Sequence, residues 1–268
     1  MSEQTQPSET TKPERMCGFR AQFLKPLAKI MAKNDVRYYL NGIHIQSNPV
    51  GEGVIISATD GHRLLSILDK RGYTNGEWIS EISPSLVAAS VKAAKHKDTR
   101  ISSHDAMVTF KGNGTYVYGG LHEPERSQLG EMQRGLFLSE FLKPIEGNYP
   151  KFGRIFTKNE EPLDPKLLTM NANYLKDCGE VFSMLGNPKF QSISILGQCG
   201  QSNVFGLTNC LDDEFDARYL IMPVRNDGEL PDTTPDWVVG ITNREIEAAN
   251  KEKQIAEAKA KADQKEAA

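Results

Sequence analysis

The sequence predicts an α+β fold made of repeated strand–helix–strand units. Three observations carry that prediction. Short runs of alternating apolar residues lie between Gly, Asn, Asp and Pro signals, as half-buried strands do. Apolar residues at helical spacing follow cap-like residues in at least two places. A strand, a helix and about three strands then recur three times between residues 16 and 226, at a period of roughly 50–60 residues. Each such unit offers one sheet face and one helix to a shared core.

The first unit covers 16–73. In "FLKPLAKIMAKNDVRYYL", Phe23, Leu24, Leu27, Ile30 and Met31 have helical spacing, and Pro26 stands near the start, where a helix tolerates it. "YYLNGIHIQS" alternates like a strand, with Asn41-Gly42 permitting a turn or bulge. "VIISATDG" and "HRLLSILDK" read as strands on either side of an Asp60-Gly61 turn. The second unit, 76–122, has the strand "EWISEI" and the helix "SPSLVAASVKAAKH". Ser83 is the expected N-cap and Pro84 the first helical residue. The strands "TRISSHD", "AMVTFKG" and "GTYVYGG" follow, with a turn at Lys111-Gly112-Asn113-Gly114. Residues 123–165 read as irregular, apart from a strand-like "LFLSEFLK". The third unit, 166–226, has a strand "LLTMNA", a helix "NYLKDCGEVFSML", and strands "FQSISILG", "SNVFGLTN" and "ARYLIMPVR".

Both ends are polar. Residues 1–15 contain no hydrophobic core and read as a disordered lead-in, not a signal peptide. From 244 onward the chain is Ala, Glu and Lys almost throughout, with helix propensity and no apolar stripe. It reads as a solvated, partly helical tail, with a partner-binding helix as the other reading.

Composition narrows the function classes. Of the 268 residues, 38% are hydrophobic and 25% charged, which is a soluble globular composition. No apolar run approaches the ~20 residues that a membrane span needs. The four cysteines, Cys17, Cys178, Cys199 and Cys210, form no C-x-x-C pair and have no histidine at zinc spacing. They read as buried free thiols of a reducing cytoplasm, and no metal or cofactor is expected. The net charge of −3 means that any nucleic-acid contact must come from positive charge concentrated on one surface.

The segment "ATDGHRLL" (58–65) poses the functional question. Asp60 and His62 are residue types that do acid–base chemistry, and Arg63 is one that holds phosphate. Two facts argue against catalysis. A D-G pair favours a turn over a straight strand presenting both groups on one face. The chain also has no G-x-S-x-G, H-E-x-x-H, Walker A or G-x-G-x-x-G motif to supply a nucleophile, metal or phosphate loop. No enzymatic activity is expected. Lys25, Lys29 and Lys33 recur every four residues, placing them on roughly one helical face, and Lys92 and Lys95 recur similarly on the second helix. A solvated charge face and a phosphate-facing surface both fit that spacing.

"VRYYLNGIHIQ" followed by "ATDGHRLLSI" resembles the middle domain of the bacterial DNA polymerase III beta subunit, the sliding clamp. "IEGNYPKFGRIFTK" resembles the family's connection between its middle and last domains, and "ARYLIMPVR" its C-terminal strand. The resemblance spans about 16–226. It implies a DNA-clamp fold, with helices lining a ring interior and sheets outside. The implied division is a disordered 1–15, a clamp domain over 16–155 like the middle domain, an abbreviated clamp domain over 156–230, and a charged tail over 231–268.

In function, the resemblance implies a cytoplasmic processivity factor that encircles double-stranded DNA without reading its sequence. Polymerase and clamp loader would insert a short peptide into a hydrophobic pocket between the domains. Carried over by motif position, that pocket takes Leu40, Thr59, Gly61, His62, Arg63 and Leu64. It also takes Pro150, Arg154 and Ile155, with Met222, Pro223, Val224 and Arg225. Lys25, Lys29, Lys33, Lys92 and Lys95 would face DNA. Three units per chain, where the family has six, suggest a compact variant from a bacteriophage or other mobile element. Such a ring would close as a tetramer through two-fold contacts, or as a trimer if 123–165 hides a fourth unit. The alternative is a regulatory decoy that captures clamp-binding peptides without encircling DNA.

Overall fold

Chain connectivity and sheet membership do not coincide in the computed structural model, which describes residues 14–95, 106–119, 136–153, 169–186, 192–199, 202–208, 214–224, 246–247 and 249–254. The first unit runs β1 (Met16–Arg20), a short 3₁₀ turn, α1 (Leu24–Ile30), β2 (Ile43–Ser47), β3 (Val54–Thr59) and β4 (Arg63–Asp69). After β5 (Tyr73–Thr74), the second unit runs β6 (Trp78–Ser80), α2 (Pro84–Ala94), β7 (Met107–Lys111), β8 (Gly114–Tyr118) and β9 (Leu136–Phe141). Then come β10 (Pro144–Ile145), α3 (Ala172–Leu185), β11 (Ser192–Cys199), β12 (Ser202–Thr208) and β13 (Phe215–Ile221). The fold is α+β, with antiparallel pairing throughout.

The two sheets have the orders β5-β1-β7-β8-β9 and β10-β6-β2-β3-β4-β13-β12-β11. The first two units therefore exchange their leading strands: β1 pairs with β7 of the second unit, and β6 pairs with β2 of the first. The third unit joins the first through β4 and β13, in register from Asp69↔Phe215 to Arg63↔Ile221. Helix α1 lies on β3 and β4, α2 on β8 and β9, and α3 on β13, and α1 packs against both other helices. Phe19, Phe23, Leu24, Leu27 and Ile30 share one core with Ile43, Ile56, Leu65, Leu86, Val108, Phe182 and Tyr219.

Local chemistry explains the helix ends. Ser83 Oγ accepts Leu86 N–H at 2.9 Å, with Pro84 next in the chain, so the expected cap is present. Asn171 Oδ1 caps α3 in the same way, accepting Asn173 N–H at 2.9 Å. Helix α1 is shorter than the four-residue spacing of its lysines suggests. Met31 leaves it with an extended ψ of 138°, and Asn34 takes a left-handed φ of 57°, a conformation Asn tolerates better than most residues. Lys33 therefore lies beyond the helix, and the common face expected of Lys25, Lys29 and Lys33 does not form. Residues 169–170 of "LLTMNA" are not strand; Thr169 C=O instead accepts Val224 N–H at 2.8 Å. β9 completes the second unit's sheet instead of opening a further unit. The expected strand "TRISSHD" and residues 1–13 lie outside the described residues.

Cys17 and Cys178 are buried free thiols. Burial pushes both up, Cys178 to about 12, which leaves them unreactive. Among the described residues no helix is long and apolar enough to cross a membrane. Asn226–Ala268 forms a second compact unit, whose described residues 246–247 and 249–254 are helical and exposed.

One buried ion pair crosses the whole first body. Arg20 ends β1 and Asp69 ends β4. The Asp69 carboxylate accepts Arg20 N–H at 2.9 Å and Arg20 Nε–H at 3.0 Å, with a further guanidinium nitrogen at 2.9 Å. The guanidinium donates to Glu214 C=O at 3.1 Å and lies over the rings of Phe23 and Phe215 at 4.9 and 5.4 Å. Removing one partner of such a pair strands a buried charge. Asp69→Ala is therefore expected to lower the unfolding free energy by about 3–5 kcal/mol, measured by urea denaturation. The double variant Arg20→Met/Asp69→Leu should lose clearly less, and equal losses would contradict this account.

His44 on β2 is also buried. Its Nε2 lies 2.9 Å from Glu77 Oε1, while its Nδ1 has no hydrogen-bond partner among the described residues. The ring stacks on Tyr149 at 4.6 Å and 5°. Burial lowers its pKa from the ordinary 6.5, an effect that Glu77 only partly offsets. The folded state thus holds His44 neutral, and the unfolded state takes up the proton first as pH falls. Stability from this site is complete above about 6.5 and declines below it, toward the lower folded-state value. His44→Phe should flatten the fall in melting temperature between pH 7 and pH 5; a slope equal to wild type would count against the assignment.

Candidate peptide-binding pocket

The turn between β3 and β4 is built by its own polar groups. Asp60 Oδ1 accepts the backbone N–H of His62 at 2.9 Å and of Arg63 at 3.1 Å, and Asp60 Oδ2 accepts Arg63 Nε–H at 2.9 Å. Thr59 Oγ1 accepts Gly61 N–H at 3.0 Å and donates to Arg63 C=O at 2.6 Å. Gly61 has a φ of +92°, and a Cβ there would meet the Arg37 guanidinium at 2.7 Å. The positive φ is what favours glycine; the arginine tip could move aside. Asp60 is thus held by Arg63 and two amides, and His62 stacks on Tyr174 at 6.3 Å. The Asp60 carboxylate is taken up in shaping the turn, and the His62 ring lies against Tyr174.

Arg63 fastens the turn to the third unit. Its guanidinium pairs with Asp177 of α3 and lies over the Tyr174 ring at 4.8 Å. Met222 N–H donates to His62 C=O at 2.9 Å, extending the β4–β13 pairing to the turn itself. Two segments far apart in sequence are thereby fixed side by side.

Between them lies a pocket of about 240 Å³. Its walls are Arg37, Tyr39 and Leu40, in or just before a second 3₁₀ turn (Tyr38–Leu40) ahead of β2, and Thr59 to Leu64 from the hairpin except Asp60. Tyr149, Pro150 and Phe152 from the connection after β10 complete them, with Leu220 and Met222 from the end of β13 and just beyond it. Eight expected residues line it: Leu40, Thr59, Gly61, His62, Arg63, Leu64, Pro150 and Met222. Pro223 and Val224 follow it without lining it; the chain leaves β13 there, and Val224 N–H is taken by Thr169. Arg154, Ile155 and Arg225 lie outside the described residues. Five lining residues were missed: Arg37, Tyr39, Tyr149, Phe152 and Leu220. Four of these stand inside the quoted "VRYYLNG" and "NYPKF". Leu220 is two residues before Met222, so strand alternation puts it on the same face.

The floor is aliphatic and aromatic, and the rim carries two arginines, each paired with carboxylates of the chain. Arg37 sits at the mouth, pairing with Asp35 at 2.8 Å and donating to Asp60 C=O at 3.2 Å. Asp35 is held at about 2 by those Arg37 hydrogen bonds. An apolar concavity with few polar groups at its edge suits apolar side chains of an extended segment. Met222 is 43% exposed and adaptable in shape.

Among the lysines, Lys25, Lys33, Lys92 and Lys95 are exposed. Lys29 is not a free cation. Its Nζ lies 2.8 Å from both Asp177 and Glu180, bolting α1 to α3. Its expected place on a phosphate-facing surface is corrected accordingly, since its charge is already compensated within the chain. No group of three or more His, Cys, Asp and Glu among the described residues is placed to hold a metal ion.

No protein-family model matches the chain. It is 26% identical over 170 residues to the beta sliding clamps of Escherichia coli strain K12 and Salmonella typhimurium strain LT2, covering 62% of this chain and 38% of each of those proteins. A DnaN sliding clamp (DNA polymerase III subunit beta) from Pseudomonas aeruginosa, bound to griselimycin, aligns with a TM-score of 0.45 at 16% identity, over 82% of this chain and 68% of that one. The corresponding clamp from Bartonella birtlesii, also bound to griselimycin, gives 0.47 at 15% identity, over 84% and 68%. The chain is thus similar in sequence to the DNA polymerase III beta sliding clamp, spanning 38% of the length of the curated relatives it matches.

Proposed function

We propose that this protein is a non-enzymatic, cytoplasmic sliding-clamp-like processivity factor. It takes short peptides of a polymerase and a clamp loader into the pocket between the β3–β4 turn and β13, and encircles duplex DNA as a ring of several copies. The observation that carries this reading is the pocket itself. Residues from four separate segments, among them the hairpin and the end of β13, converge on one apolar cavity with an arginine rim. The similarity to beta sliding clamps supports the same reading. Double-stranded DNA would be met by Lys25, Lys33, Lys92 and Lys95 without sequence preference.

Two or three side chains buried at ~1.5–3 kcal/mol each, less the cost of ordering the peptide, give micromolar-scale affinity. Met222→Ala should weaken a peptide ending in apolar and aromatic residues by roughly tenfold, about 1.4 kcal/mol, read by fluorescence anisotropy. Leu64→Asp should abolish binding, but Leu64 is only 4% exposed and pairs with Leu220, so that variant also strains the fold. Met222 is the cleaner probe, and unchanged affinity in Met222→Ala would remove it from the site.

DNA contact should be weak and salt-sensitive. Replacing Lys25, Lys33, Lys92 and Lys95 by Glu should lower the slope of log affinity against log salt by about one per lysine lost from a phosphate contact, with peptide affinity unchanged. Tight sequence-specific binding would contradict the reading. A second reading is a decoy that binds the same peptides in the same pocket without encircling DNA. Stimulation of long-product synthesis on primed circular DNA separates the two, since only a ring confers it.

A further inference from the structure

We propose that one open end of the space between the two sheets is a second binding site, which takes a single nucleotide with its base against Trp78 and its phosphate on Arg15. A cavity of about 370 Å³ lies there, within the ~300–1,000 Å³ of small-ligand sites. Arg15 and the β7–β8 turn reach it from the first sheet, and the β5–β6 turn and Trp78 bring the second.

Strand alternation decides which side chains enter it. Gly112 N–H donates to Arg15 C=O at 2.9 Å, which carries the β1–β7 pairing one residue beyond Met16. Arg15 therefore continues the inward row of Cys17 and Phe19, both in the core. Trp78 stands opposite Ile45, another core residue, and so also faces inward; it is only partly buried. Glu77, one residue earlier, faces the other way, and its carboxylate lies 2.9 Å from His44 Nε2. Glu14, one residue before Arg15, does not line the cavity. Where aliphatic side chains would close a core, this end is finished by a guanidinium and an indole.

The polar groups that build the frame are taken. Asn75 Oδ1 accepts Met16 N–H at 2.8 Å and Asn75 Nδ2 donates to Glu14 C=O at 2.7 Å, tying the β5–β6 turn to the start of β1. The groups that face the cavity are not. The Arg15 guanidinium is exposed and has no hydrogen bond or ion pair to any described residue, and the same holds for the Asn113 carboxamide. A free guanidinium meets a phosphate with two parallel hydrogen bonds. An indole face stacks any base, and a carboxamide offers both a donor and an acceptor to a base edge. The acidic side chain of a peptide would use Arg15 alone. Bases in a duplex are already stacked, so the ligand is a free nucleotide or one unit of a single strand. This inference does not depend on what the peptide pocket binds, since the two cavities share no lining residue.

The test is isothermal titration of the full chain with deoxyadenosine monophosphate and with a single-stranded deoxyadenosine decamer. Saturable binding is expected, and deoxyadenosine without its phosphate should bind roughly tenfold more weakly. Arg15→Gln changes an exposed side chain. It should lower the affinity for both probes roughly tenfold and leave affinity at the peptide pocket unchanged. Trp78→Leu should cost a similar factor, the worth of one stacked base; circular dichroism checks its fold, because Trp78 also packs against the core. A decamer that binds more tightly than the mononucleotide identifies a single strand as the source, and equal affinities identify the free nucleotide. Absence of saturable binding at millimolar concentration, affinity unchanged in folded Arg15→Gln, or binding of an acidic peptide in place of the nucleotide would overturn the proposal.

Discussion

The Arg20–Asp69 pair is the constraint on which the rest of the first body depends. A buried guanidinium is tolerable only if its charge and its donors are all answered. Here the answers come from the ends of β1 and β4, the backbone of Glu214, and the rings of Phe23 and Phe215. These groups belong to the first sheet, the second sheet, the start of α1 and the start of β13. A shift of Asp69 would leave the charge unpaired in an apolar core, and a shift of the others would take away a donor's partner or a ring face. The pair is weak evidence for net stability, but it specifies one relative placement of the two sheets and the third unit.

The exchange of leading strands follows the same logic at the level of the backbone. Neither of the first two units is complete alone, because β1 lies beside β7 of the second unit and β6 beside β2 of the first. The two units therefore fold as a pair. The third enters through β4 and β13, and its helix is tied down by Lys29 with Asp177 and Glu180, and by Arg63 with Asp177. Asp177 serves both cations, so one carboxylate couples the helix layer to the pocket turn. Lys29 and Arg63 together keep it ionised, overcoming the cost of its partial burial.

This coupling bears on what the pocket can do. Its floor is set by the β4–β13 register, where Leu64 pairs with Leu220. Its rim is set by the Asp60–Arg63 turn. Its back wall, Tyr149, rests against the stacked ring of His44, and Phe152 meets that ring edge-on at 6.2 Å. Each wall is held from behind by buried contacts, so the cavity is preformed, which lowers the ordering cost of binding. Met222 is apolar, unbranched and 43% exposed, and it is the adjustable part.

The sequence by itself determined the α+β class, most strands, the Ser83 cap, the Asp60-Gly61 turn and eight of the described pocket residues. These are local features: alternation, capping and turn chemistry act over a few residues, and the pocket motifs are contiguous strings. Tertiary structure decided which sheet each leading strand joins, since pairing partners are set by register with residues far along the chain. It decided the end of α1 at Ile30, where Met31 turns extended and leaves Lys33 off the helix that its spacing suggested. It decided the fate of Lys29, whose spacing matched a surface row but whose charge is met by α3, about 150 residues later in a register that spacing cannot reveal. And it brought Tyr149 and Leu220 to one cavity, because a pocket wall is defined by what packs behind it, and those contacts exist only once the sheets have closed.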